Sequence, residues 1–296
     1  MTTAHATKPT APEATPELVA KLESLAAKVR QGSLIAIYHA KSGHPGGSLS
    51  SAELFATLYG AEMNVSPETV DDPHRDRFVL SKGHGAPALY AVGAERGFLK
   101  AEQIKTLRKF GSPLQGHPHV HDLPWVETST GSLGQGISAA IGMALGLRYQ
   151  KSPARVYAML GDGELQEGQV WEAAMSGSHN KLDNLCAVID YNKMQSDDLN
   201  ENICGLEPLA DKWRAFGWHT LEIDGHIVPE FLAALKEAGE TKGKPTMIIA
   251  HTVKGQGVSY MAGKPLWHGS VTLSREETAT ALGELGMSPS EIEEAL

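Results

Sequence analysis

Cysteine, basic residues and long apolar runs are scarce in this sequence of 296 residues, and each shortage excludes a class of protein. Its two cysteines, Cys186 and Cys204, lack CxxC spacing, which argues against a disulfide framework and indicates a reducing compartment. Lysine and arginine total 26 against 35 acidic residues, and the net charge of -9 argues against nucleic-acid binding. The most apolar long stretch, residues 137–147, is too short to cross a membrane. We therefore predict a cytoplasmic globular protein with neither a nucleic-acid nor a membrane partner.

The N-terminus differs in composition from the rest of the chain. Residues 1–17, MTTAHATKPTAPEATPE, are rich in alanine, threonine and proline and lack the apolar segment of a secretory signal. This composition predicts a disordered tail over residues 1–17. No internal repeat or linker divides residues 18–296, so a single domain is predicted there.

Helix and strand patterns alternate along the predicted domain. Helices are predicted at residues 17–38, 51–59, 86–97, 101–110 and 165–180, with a closing amphipathic helical region at 276–296. Short apolar strands are predicted at residues 77–80, 155–160, 185–189, 218–223 and 246–250. This alternation indicates a doubly wound α/β fold, in which a mostly parallel sheet carries helices on both faces.

Two polar residues follow neighbouring strands of the predicted sheet. Asp162 lies in a Gly161-Asp162-Gly163 triplet at the end of one strand, and Asn192 follows the next strand thirty residues later. Ligands of open parallel sheets bind beyond the carboxyl ends of the strands. Carboxylate and amide oxygens suit Mg²⁺ or Ca²⁺, and the flanking glycines would let the backbone approach a phosphate. Because Gly and Asp are also common turn residues, the triplet alone leaves an ordinary turn open.

Four of the 13 histidines lie in loops that are rich in glycine or proline. They are His44 in SGHPGG, His84 in SKGHG, His117 in QGHPH and His268 in LWHGS. Imidazoles relay protons near neutral pH and donate hydrogen bonds to sugar hydroxyls, although a single loop histidine more often has no such role. A zinc site at residues 117–121 is disfavoured, because Pro118 interrupts it and HExxH or cysteine partners are absent.

Several of these stretches together resemble the transketolase family. GDGELQEGQVWEA followed by KLDNLCAVIDYNKMQ resembles the thiamine diphosphate motif in its transketolase form. SGHPGG, SKGHG, QGHP, TGSLGQG and WHG occur in the family's order and at similar spacings, so the resemblance covers about residues 20–275. It implies the thiamine diphosphate-binding fold and the transfer of a two-carbon ketol unit from a ketose phosphate to an aldose phosphate.

The resemblance also implies a role for each matching position. The implied metal ligands, for Mg²⁺ with Ca²⁺ or Mn²⁺ as substitutes, are the side chains of Asp162 and Asn192 and the carbonyl of Met194. The implied cofactor contacts at the diphosphate are Gly163 and Lys254, with Lys82 as a second matching lysine. Gly131 and Leu133 are implied at the aminopyrimidine side, and Glu167 across a subunit interface. The implied catalytic residues, which line the channel over the thiazolium ring, are His44, His84, His117 and His268. Three of them, His44, His84 and His268, are also implied to contact the cofactor. The sequence departs from many relatives at residues 195–198, which leaves the contacts of that loop open.

Transketolases bind their cofactor between two domains, of which this chain resembles only the diphosphate-binding one. A second domain supplies the catalytic glutamate, so the implied partner is a C-terminal transketolase subunit, in an α₂β₂ assembly with sugar phosphates for substrates. Other thiamine diphosphate enzymes are the alternatives, namely a ketol transferase for an unusual sugar phosphate, a 1-deoxyxylulose-5-phosphate synthase-like enzyme or the E1 α subunit of a 2-oxo acid dehydrogenase. A further alternative is a binding subunit without turnover. The WHG and QGHP segments favour transketolase over the synthase-like enzyme and the E1 α subunit. Carbohydrate metabolism of the pentose phosphate type is the implied setting.

Overall fold

The computed structural model describes residues 11–195 and 198–296. Residues 1–10 of the predicted tail lie outside this description, as do Ser196 and Asp197 in the loop that departs from the family pattern. Residues 11–15 have no regular secondary structure. The first helix begins at Pro16, two residues before the predicted boundary of the domain, because Thr15 caps it by accepting the N–H of Leu18.

A sheet of five parallel strands forms the centre of the domain. The strands are β1 Arg77–Leu80, β2 Val156–Gly161, β3 Leu185–Tyr191, β4 His219–Asp224 and β5 Thr246–His251. Their spatial order is β1-β2-β3-β5-β4, and every neighbouring pair is parallel. The five predicted strands and the parallel sheet are thereby confirmed, and the strand ends match the predicted ones within two residues.

Helices pack against both faces of this sheet, as the alternation predicts. Their bounds are α1 Pro16–Ala40, α2 Pro45–Ser50, α3 Ala52–Thr57, α4 Ala86–Glu95, α5 Gln135–Tyr149, α6 Gly168–His179, α7 Asn200–Ile203, α8 Leu209–Ala215, α9 Val228–Glu240, α10 Arg275–Glu284 and α11 Pro289–Ala295. Alternate residues of a strand face opposite ways, so Met159 joins a core with α1, α3, α4 and α9, whereas Ala158 joins one with α5, α6 and α8. Over residues 11–195 and 198–296, no helix is long and apolar enough to span a bilayer.

The helix predicted at residues 101–110 is wrong in extent. A 3₁₀ helix covers only Ala101–Thr106, and Arg108 has a left-handed backbone with φ of 57°. The Thr106 hydroxyl donates to the carbonyl of Gln103 at 2.7 Å, which takes up an acceptor that a longer helix would need. The chain then turns back towards the sheet, and this turn brings Arg108 into the site described below.

The parallel connection from β2 through α6 to β3 positions the predicted ligands. Gly161 is opposite Asp190 in the strand register, so the residues that follow β2 and β3 emerge at the same edge of the sheet. His84 follows β1 and Lys254 follows β5, so both emerge at this edge too. The topology thus gathers distant loops at the carboxyl ends of four neighbouring strands.

Candidate active site

The three predicted metal ligands lie close together around a tight turn. Asp162 is 2% exposed, and its carboxylate accepts the N–H of Gly163 at 2.8 Å and that of Lys193 at 2.5 Å. Asn192 accepts the N–H of Met194 at 3.2 Å through its side-chain oxygen. Lys193 has a left-handed backbone, with φ of 64°, which bends the chain between Asn192 and Met194. One carboxylate, one amide and one backbone carbonyl are therefore gathered at the ends of β2 and β3.

The donor set fits a hard divalent cation. No group of three His, Cys, Asp or Glu side chains suited to a metal occurs in the described ranges, so a zinc-type cage is absent there. Mg²⁺ commonly takes one or two carboxylates and completes its shell with water and phosphate oxygens. A Cβ on Gly163 would lie 3.0 Å from the Cβ of Gln195, so a larger residue would crowd the cradle beside Asp162. Burial raises the pKa of Asp162 to about 6, a cost that a bound cation would offset.

Two buried lysines lie beside these oxygens in different environments. Lys82 donates to Asp190 at 2.5 Å and to the carbonyl of Gly47 at 2.8 Å, so its charge is already paired. Lys254 donates to the carbonyl of Met194 at 2.8 Å and forms no ion pair with the described residues. Burial lowers the pKa of Lys254 to about 8. Lys254 is therefore the cation best suited to a phosphate, whereas Lys82 holds Asp190.

The four predicted histidines form one continuous row. The ring centroids of His117 and His44 are 6.5 Å apart, those of His44 and His84 5.5 Å, and those of His84 and His268 5.7 Å. Burial lowers all four pKa values, to about 4 for His44 and about 3 for His268, so the rings are neutral at pH 7. The Nδ1 of His44 is buried and has no hydrogen-bond partner among the described residues. Lys254 contacts Nδ1 of His268, which joins the row to the Asp162 site.

Most of the residues predicted to bind the metal or the cofactor line a single cavity. These are His84, Leu133, Asp162, Gly163, Asn192, Lys254 and His268. Gly131 lies outside that lining, but a Cβ on it would come within 3.1 Å of the His117 ring. Glu167 is exposed at the start of α6, beside Gly134, and does not reach into the cavity. The structure thus gathers all the predicted residues except Glu167 around the cavity and the histidine row.

Glu164 and Asp190 are two further residues of the site that we did not predict. Glu164 is 1% exposed and accepts the N–H groups of Gly134 and Gly161, both at 2.9 Å, and the hydroxyl of Ser81. It thereby ties the end of β2 to the loops that contain Ser81 and Gly134. Its place directly after the Gly-Asp-Gly triplet is a signal that could have found it. Asp190 lies one residue before the end of β3, and its ion pair with Lys82 has no local sequence signal.

Arg108 is a third residue that we did not predict, and it connects the segments that carry the histidines. Its guanidinium donates to the hydroxyl of Ser42 and, at 3.2 Å, to that of Ser270. A Cβ on Gly116 would lie 2.7 Å from its Nε, so Arg108 also packs on the residue before His117. Its charge contributes to the lowered pKa values of His44 and His117.

Comparison with known proteins identifies the family. Residues 22–294 match the family described as transketolase, thiamine diphosphate binding domain. The chain belongs to the transketolase family. This confirms the predicted family and agrees with a site that combines an Asp-Asn oxygen pair with four histidines.

Individual relatives and solved structures agree with this family. The chain is 47% identical to a 6-deoxy-6-sulfo-D-fructose transketolase subunit from Clostridium sp. (strain MSTE9), over 82% of this chain and 88% of the relative. It is 41% identical to an apulose-4-phosphate transketolase subunit from Phocaeicola vulgatus, over 87% and 92%. The transketolase structure from Campylobacter jejuni superimposes with a TM-score of 0.86 and 30% identity, over 92% of this chain and 43% of that one. The transketolase-family chain thus spans less than half of that solved protein, and the predicted fold is confirmed.

Proposed function

We propose that this chain is the N-terminal, cofactor-binding subunit of a two-subunit transketolase, which transfers a two-carbon ketol unit between sugar phosphates. The observation that carries this function is the row of four neutral imidazoles beside Asp162, Asn192 and Lys254. Two relatives that are covered over 88% and 92% of their lengths are named as transketolase subunits, which supports the two-subunit form.

In this function the oxygens at the ends of β2 and β3 hold the cation and the diphosphate. Asp162 and Asn192 bind Mg²⁺ through their side chains and Met194 through its carbonyl, while Ca²⁺ or Mn²⁺ can substitute. The backbone of Gly163 and the ammonium of Lys254 bind the diphosphate, which a chain of net charge -9 would otherwise repel. Bound thiamine diphosphate supplies a nucleophilic carbon and an electron sink.

The four histidines act on the substrate side of the cofactor. A neutral imidazole can both accept and donate a proton, so His44, His84, His117 and His268 can hold sugar hydroxyls and move their protons. The unpaired Nδ1 of His44 offers one such position. Gly131 and Leu133 border the aminopyrimidine side, and Leu133 lines the cavity.

The partner subunit supplies the catalytic glutamate and completes the site in an α₂β₂ assembly. Glu167 supports a shared site, because it is exposed at the start of α6 instead of lining the cavity. We place the assembly in the cytoplasm, in carbohydrate metabolism of the pentose phosphate type. Gentle purification of the chain from its own cells should bring down a stoichiometric second polypeptide, and recovery of a fully active chain by itself would contradict the two-subunit form.

Asp162→Ala tests the cofactor site directly. Loss of an ionised ligand should weaken Mg²⁺-dependent binding of thiamine diphosphate about 10- to 100-fold and abolish ketol transfer, since a hydrogen bond or ligand to a charged group contributes about 1.5–3 kcal/mol. Calorimetric titration measures the affinity. Activity assays with xylulose 5-phosphate and with pyruvate as the donor distinguish ketol transfer from acyl transfer. Asp211→Ala removes an exposed carboxylate that pairs with Arg214 and should change neither quantity. Unchanged binding by Asp162→Ala would contradict the proposed role.

A further inference from the structure

Behind the segment that carries Lys254, a hydrogen-bonded chain leads from the site to helix α1. Arg30 on α1 donates to Oε2 of Glu53 at 2.6 Å, and Nδ1 of His226 lies 3.0 Å from the same oxygen. Nε2 of His226 accepts the backbone N–H of Val253 at 2.8 Å. The chain of contacts therefore ends on the residue directly before Lys254.

The two partners of His226 determine where its proton lies. A backbone N–H can only donate, so Nε2 carries no proton and the neutral ring donates from Nδ1 to Glu53. Glu53 is 7% exposed. Burial by itself would raise the pKa of Glu53, but the bond from His226 and the charge of Arg30 bring it below the ordinary value. The carboxylate is therefore ionised at neutral pH and fixes the orientation of the ring.

The backbone bond to His226 is important at Val253, because this residue has the most exposed side chain next to the buried Lys254. Val253 is 41% exposed, so its side chain anchors the segment weakly. The flanking residues are held elsewhere, Thr252 by donating to Asp190 at 2.5 Å and Gly255 by donating to the carbonyl of Gly46 at 3.1 Å. Between these two attachments, Val253 donates to His226 at 2.8 Å and the carbonyl of Lys254 accepts the N–H of Gly263 at 2.8 Å.

The turn before α9 is built to bring His226 to this position. The carboxylate of Asp224 accepts the N–H of His226 at 2.9 Å, which closes the turn. A Cβ on Gly225 would lie 2.6 Å from the methyl group of Thr252, so only glycine lets the turn approach the segment this closely. The Asp-Gly-His sequence at 224–226 thus has a structural reason at each position.

We propose that His226 is a positioning residue, which holds Lys254 against the diphosphate site through the backbone of Val253 while Glu53 and Arg30 fix its ring. The inference rests on the proposed function, because the diphosphate contact of Lys254 belongs to that function. It adds a residue that touches neither cofactor nor substrate and acts on the affinity for the diphosphate through the backbone of Val253.

Two substitutions separate the two bonds of the ring. His226→Gln places an amide oxygen near Nε2, which keeps the acceptor for Val253 and loses the donor to Glu53. His226→Asn places an amide nitrogen near Nδ1, which keeps the donor to Glu53 and loses the acceptor for Val253. We expect His226→Asn to weaken thiamine diphosphate binding about tenfold and His226→Gln to stay within about twofold of wild type, as for one lost hydrogen bond. The melting temperature should fall more in His226→Gln, because a buried carboxylate loses a donor.

Affinity is measured calorimetrically with Mg²⁺ on the full-length chain, together with any subunit that co-purifies. His219→Asn is the matched control, since His219 pairs with Glu237 at 2.8 Å at the opposite end of β4 and should leave the affinity unchanged. Equal affinities of the Asn and Gln variants, whether weakened or not, would overturn the positioning role. If Asp162→Ala binds normally as well, the proposed function itself fails. If Asp162→Ala loses binding but both His226 variants bind normally, the positioning role of His226 fails and the proposed function stands.

Discussion

At the scale of single residues, Arg108 shows how one side chain can order several loops. It reaches Ser42 and Ser270 and packs on Gly116, and these residues neighbour three of the four histidines of the site. A guanidinium can contact several acceptors at once because it presents five donors in a plane. Both bonds to the serines come from one nitrogen, Nη1, while Nε and Nη2 lie against Gly116, so an ammonium would keep the charge but lose the planar packing on Gly116.

Arg108→Lys should therefore lower kcat/KM about tenfold, or about 1.4 kcal/mol, because the planar packing on Gly116 is lost, with little change in melting temperature. Steady-state kinetics with a ketose phosphate and thermal unfolding measure the two effects. Arg214→Lys serves as the control, because Arg214 lies on the surface with its side chain 51% exposed. Normal kinetics in Arg108→Lys would show that the charge alone suffices.

At the scale of secondary-structure elements, the start of α5 sets the position of the loop before it. Gly134 has φ of 85°, and a Cβ there would lie 2.7 Å from Cβ of Glu167 at the start of α6. Both the left-handed backbone and the close approach require glycine. By contrast, Gly142 lies exposed within α5, and nothing lies within 4 Å of the position a Cβ would take.

We expect Gly134→Ala to lower the free energy of unfolding by about 1–3 kcal/mol, the cost of a strained backbone conformation. Gly142→Ala should raise it by about 0.5–1 kcal/mol, because alanine favours a helix interior. Urea denaturation of both variants measures the difference. If Gly134→Ala were as stable as Gly142→Ala, the close contact between α5 and α6 would not constrain the site.

At the scale of the whole molecule, the buried histidines couple stability to pH. The folded pKa of His44, about 4, is below its ordinary value of 6.5, so the unfolded chain binds more protons between these values. This contribution to stability is complete above pH 6.5 and is lost as the pH falls towards 4. Asp162 acts in the opposite direction over part of this range, because its pKa is raised to about 6.

His44→Gln isolates the contribution of the histidine, since Asp162 is unchanged in this variant. Without cofactor, the melting temperature of the wild type should fall more steeply than that of His44→Gln as the pH is lowered from 6.5 to 4.5. Thermal unfolding at several pH values measures both slopes. Parallel slopes would indicate that His44 titrates at its ordinary pKa in the folded protein.

The sequence by itself determined the strands, the parallel sheet and the placement of Asp162 and Asn192 at the same edge of that sheet. These features depend on local patterns, because apolar runs set the strands and parallel connections bring successive strand ends to one edge. The helix over 101–110 was mispredicted because a side-chain bond and the following turn compete with helical bonds, which periodicity does not show.

Only the tertiary structure decided which distant side chains meet. Lys82 and Asp190 are 108 residues apart, and His226 and Glu53 are 173 apart, yet both pairs are in direct contact. The family resemblance selected the four histidines, but the order of their row and their lowered pKa values follow from how four separate loops pack. Burial and charge neighbours depend on the packed interior, whereas the pattern along the chain reports only what lies nearby in sequence.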